Sequence, residues 1–312
     1  MNISQKPLNE QVIVITGASS GIGLATAEVA ADRGAAVVLA ARSETELAFA
    51  MARIRQRGGC VVAVAADLAD ERQVAQIGTA AMREFGRIDT WVNSAGLGIC
   101  GRLREHPVAD VRKRFETNFW SVVYGCNVAV EHMRSNGGTI VNIGREVSNG
   151  GAPLLGMSSA AKHAIRGYTD ALRSEVERRN IPIRVSLVEP GPIDPPLLDH
   201  ASSDRDAEAK EEKDPPPAFR PEDVAHAILV CAEQSVPEIA VGVPRLQIAM
   251  ATLAPRLFDL MMERQTLNPM KRQAVTKSLA YTRAALADVG RALPFMALGA
   301  IVAARVATSR RP

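Results

Sequence analysis

The stretch that decides the fold is VIVITGASSGIGLATAEVAADR, residues 12–33. Its first five residues are apolar or β-branched without alternation, the composition of a strand covered on both faces. Gly17, Gly21 and Gly23 then break the apolar run, with Ser19, Ser20 and Ile22 between them, and a helical pattern follows. Glycines at such a junction permit a tight turn and let backbone N–H groups approach a pyrophosphate at the helix N-terminus. A glycine string alone says little. Between a strand and a helix it predicts a dinucleotide cradle rather than a ligand-free turn.

Outward from this unit, strand-like runs recur at 36–40, 61–65, 90–93, 139–144 and 183–188, separated by helical patterns at 22–33, 44–57 and 71–85. Strands alternating with helices imply right-handed crossovers and a parallel sheet. The expected fold class is therefore α/β, a single doubly wound Rossmann domain over residues 1–250. Residues 199–217 are charged and end in three prolines, so 196–218 reads as a mobile loop over the substrate side. A helix at 221–233 and a strand at 238–243 close the domain, and 251–312 reads as a basic, helical C-terminal extension.

With 37 basic and 34 acidic residues the net charge is +3, which gives nucleic acid no claim as the principal partner. Cys60, Cys100, Cys126 and Cys231 lie far apart, with no pair or histidine at metal-ligand spacing, so no metal is expected and the thiols read as reduced. The first ten residues have no charged segment followed by an apolar one, which fits a cytoplasmic protein rather than a secreted one. Near the other end, 292–304 is apolar for thirteen residues between Arg291 and Arg305. A spanning helix needs roughly 20. That run either packs on protein or, through 292–311, touches an anionic membrane surface weakly.

The second strand ends in Ala40 and Ala41, followed by Arg42. An acid there would accept the adenine ribose hydroxyls, whereas a guanidinium suits a 2′-phosphate. Unless Arg42 is only a solvated surface residue, this favours NADP over NAD.

Thr16-Gly17-Ala18-Ser19-Ser20-Gly21-Ile22-Gly23, Asp67, Asn93-Ser94-Ala95-Gly96, Asn118, Lys162-His163-Ala164 and Pro190-Gly191 together resemble the classical short-chain dehydrogenase/reductase family over about residues 10–245. The resemblance implies an NAD(P)-dependent oxidoreductase acting on a carbonyl or an alcohol. It implies that Asp67 holds the adenine edge, that Asn93, Ala95 and Gly96 flank the cofactor with the glycine turn, and that Pro190 and Gly191 line its far end. Asn118 would anchor a proton-relay water through its backbone, and Lys162 would bind the nicotinamide ribose. Self-association as a homodimer or homotetramer through helices at about 107–133 and 158–179 is also implied.

Three positions depart from the family pattern. Its catalytic tyrosine stands four residues before the lysine, one helical turn away, where this chain has Ser158. Its catalytic serine stands thirteen residues earlier still, where this chain has Arg145. A threonine usual after the Pro-Gly turn is replaced by Pro195. Ser158 is a weaker acid than a phenol, and its short side chain would leave a hole where a ring belongs. Tyr168, six residues past Lys162, is turned about 600° around the helix, and Tyr124 has the same offset from Asn118. Neither is placed to substitute.

Arg145 is either an anchor for an anion or carboxylate, an electrophile in place of the hydroxyl, or a residue that swings out to pair with Glu146 or fills the space over Ser158 and blocks the cleft. A Ser-Lys acyl-transfer pair is a poor alternative, because a lysine engaged with ribose is not free to act as base. The residues therefore support two functions. One is an NADP(H)-binding oxidoreductase with an atypical, impaired active site. The other is an inactive relative that binds dinucleotide for a structural or regulatory role. The substrate class is not legible in the sequence.

Overall fold

The computed structural model describes residues 6–96, 104, 107–145, 156–191, 219–242 and 256. The chain divides into two units, 1–244 and 245–312, and all described residues but Arg256 belong to the first. The substrate-side loop 196–218 and the apolar run 292–304 lie outside the described residues.

Seven parallel strands form one sheet in the order β3-β2-β1-β4-β5-β6-β7. They are β1 (Val12–Thr16), β2 (Ala36–Ala41), β3 (Val61–Ala65), β4 (Thr90–Asn93), β5 (Gly138–Ile143), β6 (Ile183–Pro190) and β7 (Glu238–Val241). Strand order reverses between β1 and β4, and in open α/β sheets ligands bind at the carboxyl edge beside that reversal. Every residue of β1 is buried. Ile13 and Ile15 face a layer made by α1 (Gly21–Asp32), α2 (Glu44–Gln56) and α7 (Pro221–Glu233). Val12 and Val14 face α3 (Glu71–Phe85), α5 (Ser121–Met133) and α6 (Gly156–Arg178). Both faces being covered explains the unbroken apolar run.

Element boundaries follow the sequence reading with two informative differences. β6 runs two residues past 188, because Glu189 and Pro190 pair with Ala240 and Val241 of β7. The helix expected over 107–133 is interrupted. After α4 (Val108–Phe115), residues Glu116–Trp120 form a π-turn before α5, and the Ser121 N–H reaches back five residues to the Glu116 carbonyl. Such one-turn widenings concentrate at functional sites. No helix among the described residues is long and apolar enough to cross a membrane.

The polar core lies where β4, β5, α5 and α6 meet. Trp91 Nε1 donates to Asn93 Oδ1 at 2.8 Å, Asn93 Nδ2 donates to Asn142 Oδ1 at 2.8 Å, and Asn142 Nδ2 donates to Thr169 Oγ1 at 2.9 Å. Cys126 Sγ sits 3.5 Å from both asparagines, and burial pushes its thiol up to about 12, leaving it unreactive. Gly125 makes room for this chain: a Cβ there would strike Asn93 Oδ1 and lie 2.7 Å from Trp91 Nε1. Gly125→Ala is expected to lower stability by about 1–3 kcal/mol through overpacking. Urea unfolding followed by tryptophan fluorescence measures it, and an unchanged midpoint would contradict the packing described.

Candidate active site at the carboxyl edge of the sheet

The turn after β1 is pinned to β2, since the N–H groups of Gly17 and Ala18 donate to the Ala40 carbonyl at 2.8 and 3.2 Å. Gly17 has φ 69°, and a Cβ on it would lie 2.8 Å from Ala95 Cα. Gly23 is equally confined, because its Cβ would run into the Gly17 carbonyl. α1 starts at Gly21 on an N-cap, Ser20, whose side chain bonds none of the first-turn N–H groups. Those donors and the positive end of the helix dipole suit a pyrophosphate. Ser19 and Ile22 are half-buried beside them, and Ser20 and Gly21 are exposed. The strand–turn–helix unit read from residues 12–33 is therefore present, with a floor so close that added side-chain atoms would fill it.

Arg42 follows β2 directly, is exposed, and makes no ion pair with any other described residue. The Ala66 N–H holds the next strand end beside it through the Ala41 carbonyl, 2.9 Å. Asp67 comes next, exposed, with Oδ1 accepting from the Ala69 N–H at 3.1 Å and its own N–H donating to Gln73 Oε1 at 2.8 Å. The two residues thus stand on neighbouring strand ends at the same edge. Asn93 ends β4 on the same edge. Its side chain is 2% exposed and committed to Trp91 and Asn142, so only its backbone can flank a ligand.

Three elements then converge. A Cβ on Gly96 would lie 3.8 Å from both Asn118 Oδ1 and Lys162 Nζ. Asn118, 2% exposed, is carried by the π-turn. Lys162 Nζ donates to the Ile143 carbonyl at the end of β5, 2.8 Å. Burial lowers the Lys162 pKa to about 8, with the charge of Arg145 adding to the effect. Arg145 is half-buried, two residues past that carbonyl. Ser158 lies one turn before Lys162 on α6 and is 3% exposed, so the expected hole does not open to solvent. Gly191, next to Pro190, is tied to the Val241 carbonyl at 2.9 Å and completes the edge.

Neither remaining described tyrosine that the sequence set aside returns as a donor. Tyr124 stacks on Trp120 with centroids 6.1 Å apart, and Tyr168 packs edge-on against Phe119 at 6.2 Å. Burial, the leading cause in both, raises their phenol pKa values, which makes them poorer acids. No group of metal-ligating side chains gathers among the described residues.

A family model for short chain dehydrogenases matches residues 11–206. The chain belongs to the short-chain dehydrogenase family. Within it, an uncharacterized oxidoreductase YxnA of Bacillus subtilis is 40% identical over 262 residues, covering 83% of this chain and 73% of that protein. A short-chain dehydrogenase/reductase from Burkholderia phymatum, solved with NAD, superposes with a TM-score of 0.71 at 26% identity, covering 82% of this chain and 96% of that one. An alcohol dehydrogenase from the archaeon Thermococcus sibiricus, solved with 5-hydroxy-NADP, gives 0.64 at 26% identity over 74% and 95%. This short-chain dehydrogenase is accordingly an oxidoreductase of a family that binds NAD(P), and its cradle fits such a dinucleotide.

Trp91, Cys126, Asn142 and Thr169 were not singled out from the sequence as part of this edge. Asn142, polar inside the apolar run TIVNI, was the one local signal. The coupling of the two cations is testable in isolation. Arg145→Ser is expected to raise the Lys162 pKa above about 8, while burial, the larger cause, still holds it below that of a free lysine. Competitive acetylation followed over pH by mass spectrometry reads that value directly. An unchanged Lys162 titration would place Arg145 away from it.

Proposed function

We propose that the protein is an NADP(H)-dependent oxidoreductase that interconverts a carbonyl compound and an alcohol slowly, because its proton-donating groups are rebuilt. The observation that carries the cofactor choice is Arg42, exposed and without an ion-pair partner among the described residues, one residue beyond the glycine turn's anchor strand. A guanidinium there offers a fork of charge-assisted donors to a 2′-phosphate, where an acid would repel it. Gly17, Ser19, Ser20, Gly21, Ile22 and Gly23 cradle the pyrophosphate, Asp67 meets the adenine, and Ala95, Gly96, Pro190 and Gly191 line the path to the reacting end. Lys162 holds the nicotinamide ribose there, next to Asn118.

Bound NADPH supplies a hydride to a carbonyl carbon. The chain must then protonate the oxygen. With Ser158 in place of a phenol that step lacks its usual acid, typically worth about 10²–10⁴-fold in rate. A missing hydrogen-bond donor to the oxyanion costs on the order of 10²–10³-fold more. Lys162, protonated below about pH 8, is the titratable N–H donor left at the site. The same reading places the protein in a homodimer or homotetramer built on α5 and α6, with residues 251–312 as a separate extension.

Two outcomes test this. NADPH should bind more tightly than NADH, and Arg42→Ala should remove most of the difference, about 1.5–3 kcal/mol or roughly 10- to 100-fold. Equal affinities in the parent protein, measured by fluorescence titration, would refute the cofactor assignment. Turnover of neutral ketones should be very slow, and Ser158→Tyr combined with Arg145→Ser should raise it more than the two single changes together, since such groups act as a unit. Fast turnover by the unmodified protein would show that its acid is already complete.

A further inference from the structure

Polar side chains at 162, 166, 169 and 173 of α6 bond the sheet, at spacings of four, three and four that put them on one stripe of the helix. Lys162 donates to the Ile143 carbonyl of β5, and Thr169 accepts from the Asn142 amide. Arg173 donates to the Val185 and Pro237 carbonyls at 2.8 and 3.0 Å. Arg166 differs from these in meeting two carboxylates. Its Nη1 and Nη2 donate to the two Glu238 oxygens at 3.1 and 2.8 Å, and Nη2 lies 3.4 Å from Glu189 Oε2. Leu187, paired with Glu238 and two residues before Glu189, packs in the α6 layer, so both acids stand on that side of the sheet.

The surroundings of Glu189 tie this cluster to the reactive edge. Its side chain is 2% exposed, and a Cβ on Gly144 would lie 3.2 Å from its Cγ and 3.3 Å from its Oε1. The carboxylate therefore lies against the end of β5, one residue past the carbonyl that holds Lys162. Pro190 and Gly191, the next two residues of the chain, line the nicotinamide end in the reading above. Replacing a buried ion pair with apolar residues is often neutral or stabilising. Docking α6 on the sheet thus gives no reason for a carboxylate here. An apolar contact tolerates sliding, whereas the planar fork of a guanidinium accepts its carboxylates in few orientations.

We propose that Arg166 is a positioning residue that, through Glu189 and Glu238, sets the height of Lys162 against Pro190 and Gly191 and so places the nicotinamide half of the cofactor. The proposal rests on the cofactor reading above and adds the residue that fixes its reactive end. Arg166 stands one helical turn from Lys162, so a shift of α6 at one is carried to the other.

The test compares two ligands calorimetrically on the full-length protein: NADPH, which occupies both halves of the site, and 2′,5′-ADP, which reaches only the adenine half. Arg166→Met is expected to weaken NADPH about tenfold while 2′,5′-ADP stays within about twofold. Arg166→Lys keeps the charge without the fork and should fall between parent and Arg166→Met. Arg173→Met is the control, because it removes two bonds from the far end of the same stripe. It should lower the melting temperature and leave both affinities unchanged. Should Arg166→Met fail to fold with Glu189 left buried, Arg166→Met combined with Glu189→Gln removes both charges, and it should show the same split between the ligands. Parent-like NADPH affinity in the folded Arg166 variants would overturn the proposal. So would an equal loss of NADPH in Arg173→Met, or a parallel loss of both ligands in Arg166→Met. If the parent protein binds neither ligand, the cofactor reading falls and this proposal with it.

Discussion

How closely the turn after β1 approaches the turn after β4 sets everything at the carboxyl edge of the sheet. A Cβ on Gly17 would lie 2.8 Å from Ala95 Cα, so only hydrogen at that position lets the two chain ends touch. The contact spans the reversal in strand order, the place where a doubly wound sheet leaves a crevice. It sets the depth of the phosphate cradle on one side. On the other it carries Gly96 to Asn118 and Lys162, so the glycine turn and those two side chains are linked through the consecutive residues Ala95 and Gly96.

Below that edge, buried amides keep the strand ends in register. Asn93 and Asn142 are directly paired residues of β4 and β5, and their side chains continue the pairing to Thr169 on α6. A partly satisfied network of this kind would cost stability, whereas a connected one rigidifies what it joins. Here it joins the strand that leads into Ala95 and Gly96, the strand that leads into Arg145, and the helix that carries Ser158 and Lys162. In the proposed function both ends of the site would favour anions, the cofactor end through backbone N–H groups and Arg42 and the reactive end through Lys162 and Arg145.

Much of this was legible in the sequence because it is local. The run VIVIT followed by three glycines specifies a both-faces-buried strand and a tight turn within a dozen residues, and β1, β3, β4, α3 and α7 begin and end where the pattern says. Lys162 and Ser158 are separated by one helical turn, so their shared face could be read from spacing. Other features depend on partners distant in the chain. Nothing near Asn93 in sequence says that its side chain turns inward to Asn142, 49 positions later. The π-turn that carries Asn118 is invisible to a helical periodicity, which only registers apolar residues on one side. The lowered pKa of Lys162 needs the meeting of α6 with the end of β5, which no linear pattern encodes.

The central claim is that an intact dinucleotide site ends at a reactive edge holding Lys162 and Arg145 in place of a phenol and a hydroxyl. A crystal structure of the full-length protein with NADP⁺ tests it most directly. The account predicts the 2′-phosphate on Arg42, the pyrophosphate at the N–H groups of Gly21 to Gly23, and the nicotinamide ribose within hydrogen-bond distance of Lys162 Nζ. A cofactor bound with its ribose turned away from Lys162, or with Arg42 pointing into solvent past an unbound phosphate, would contradict it.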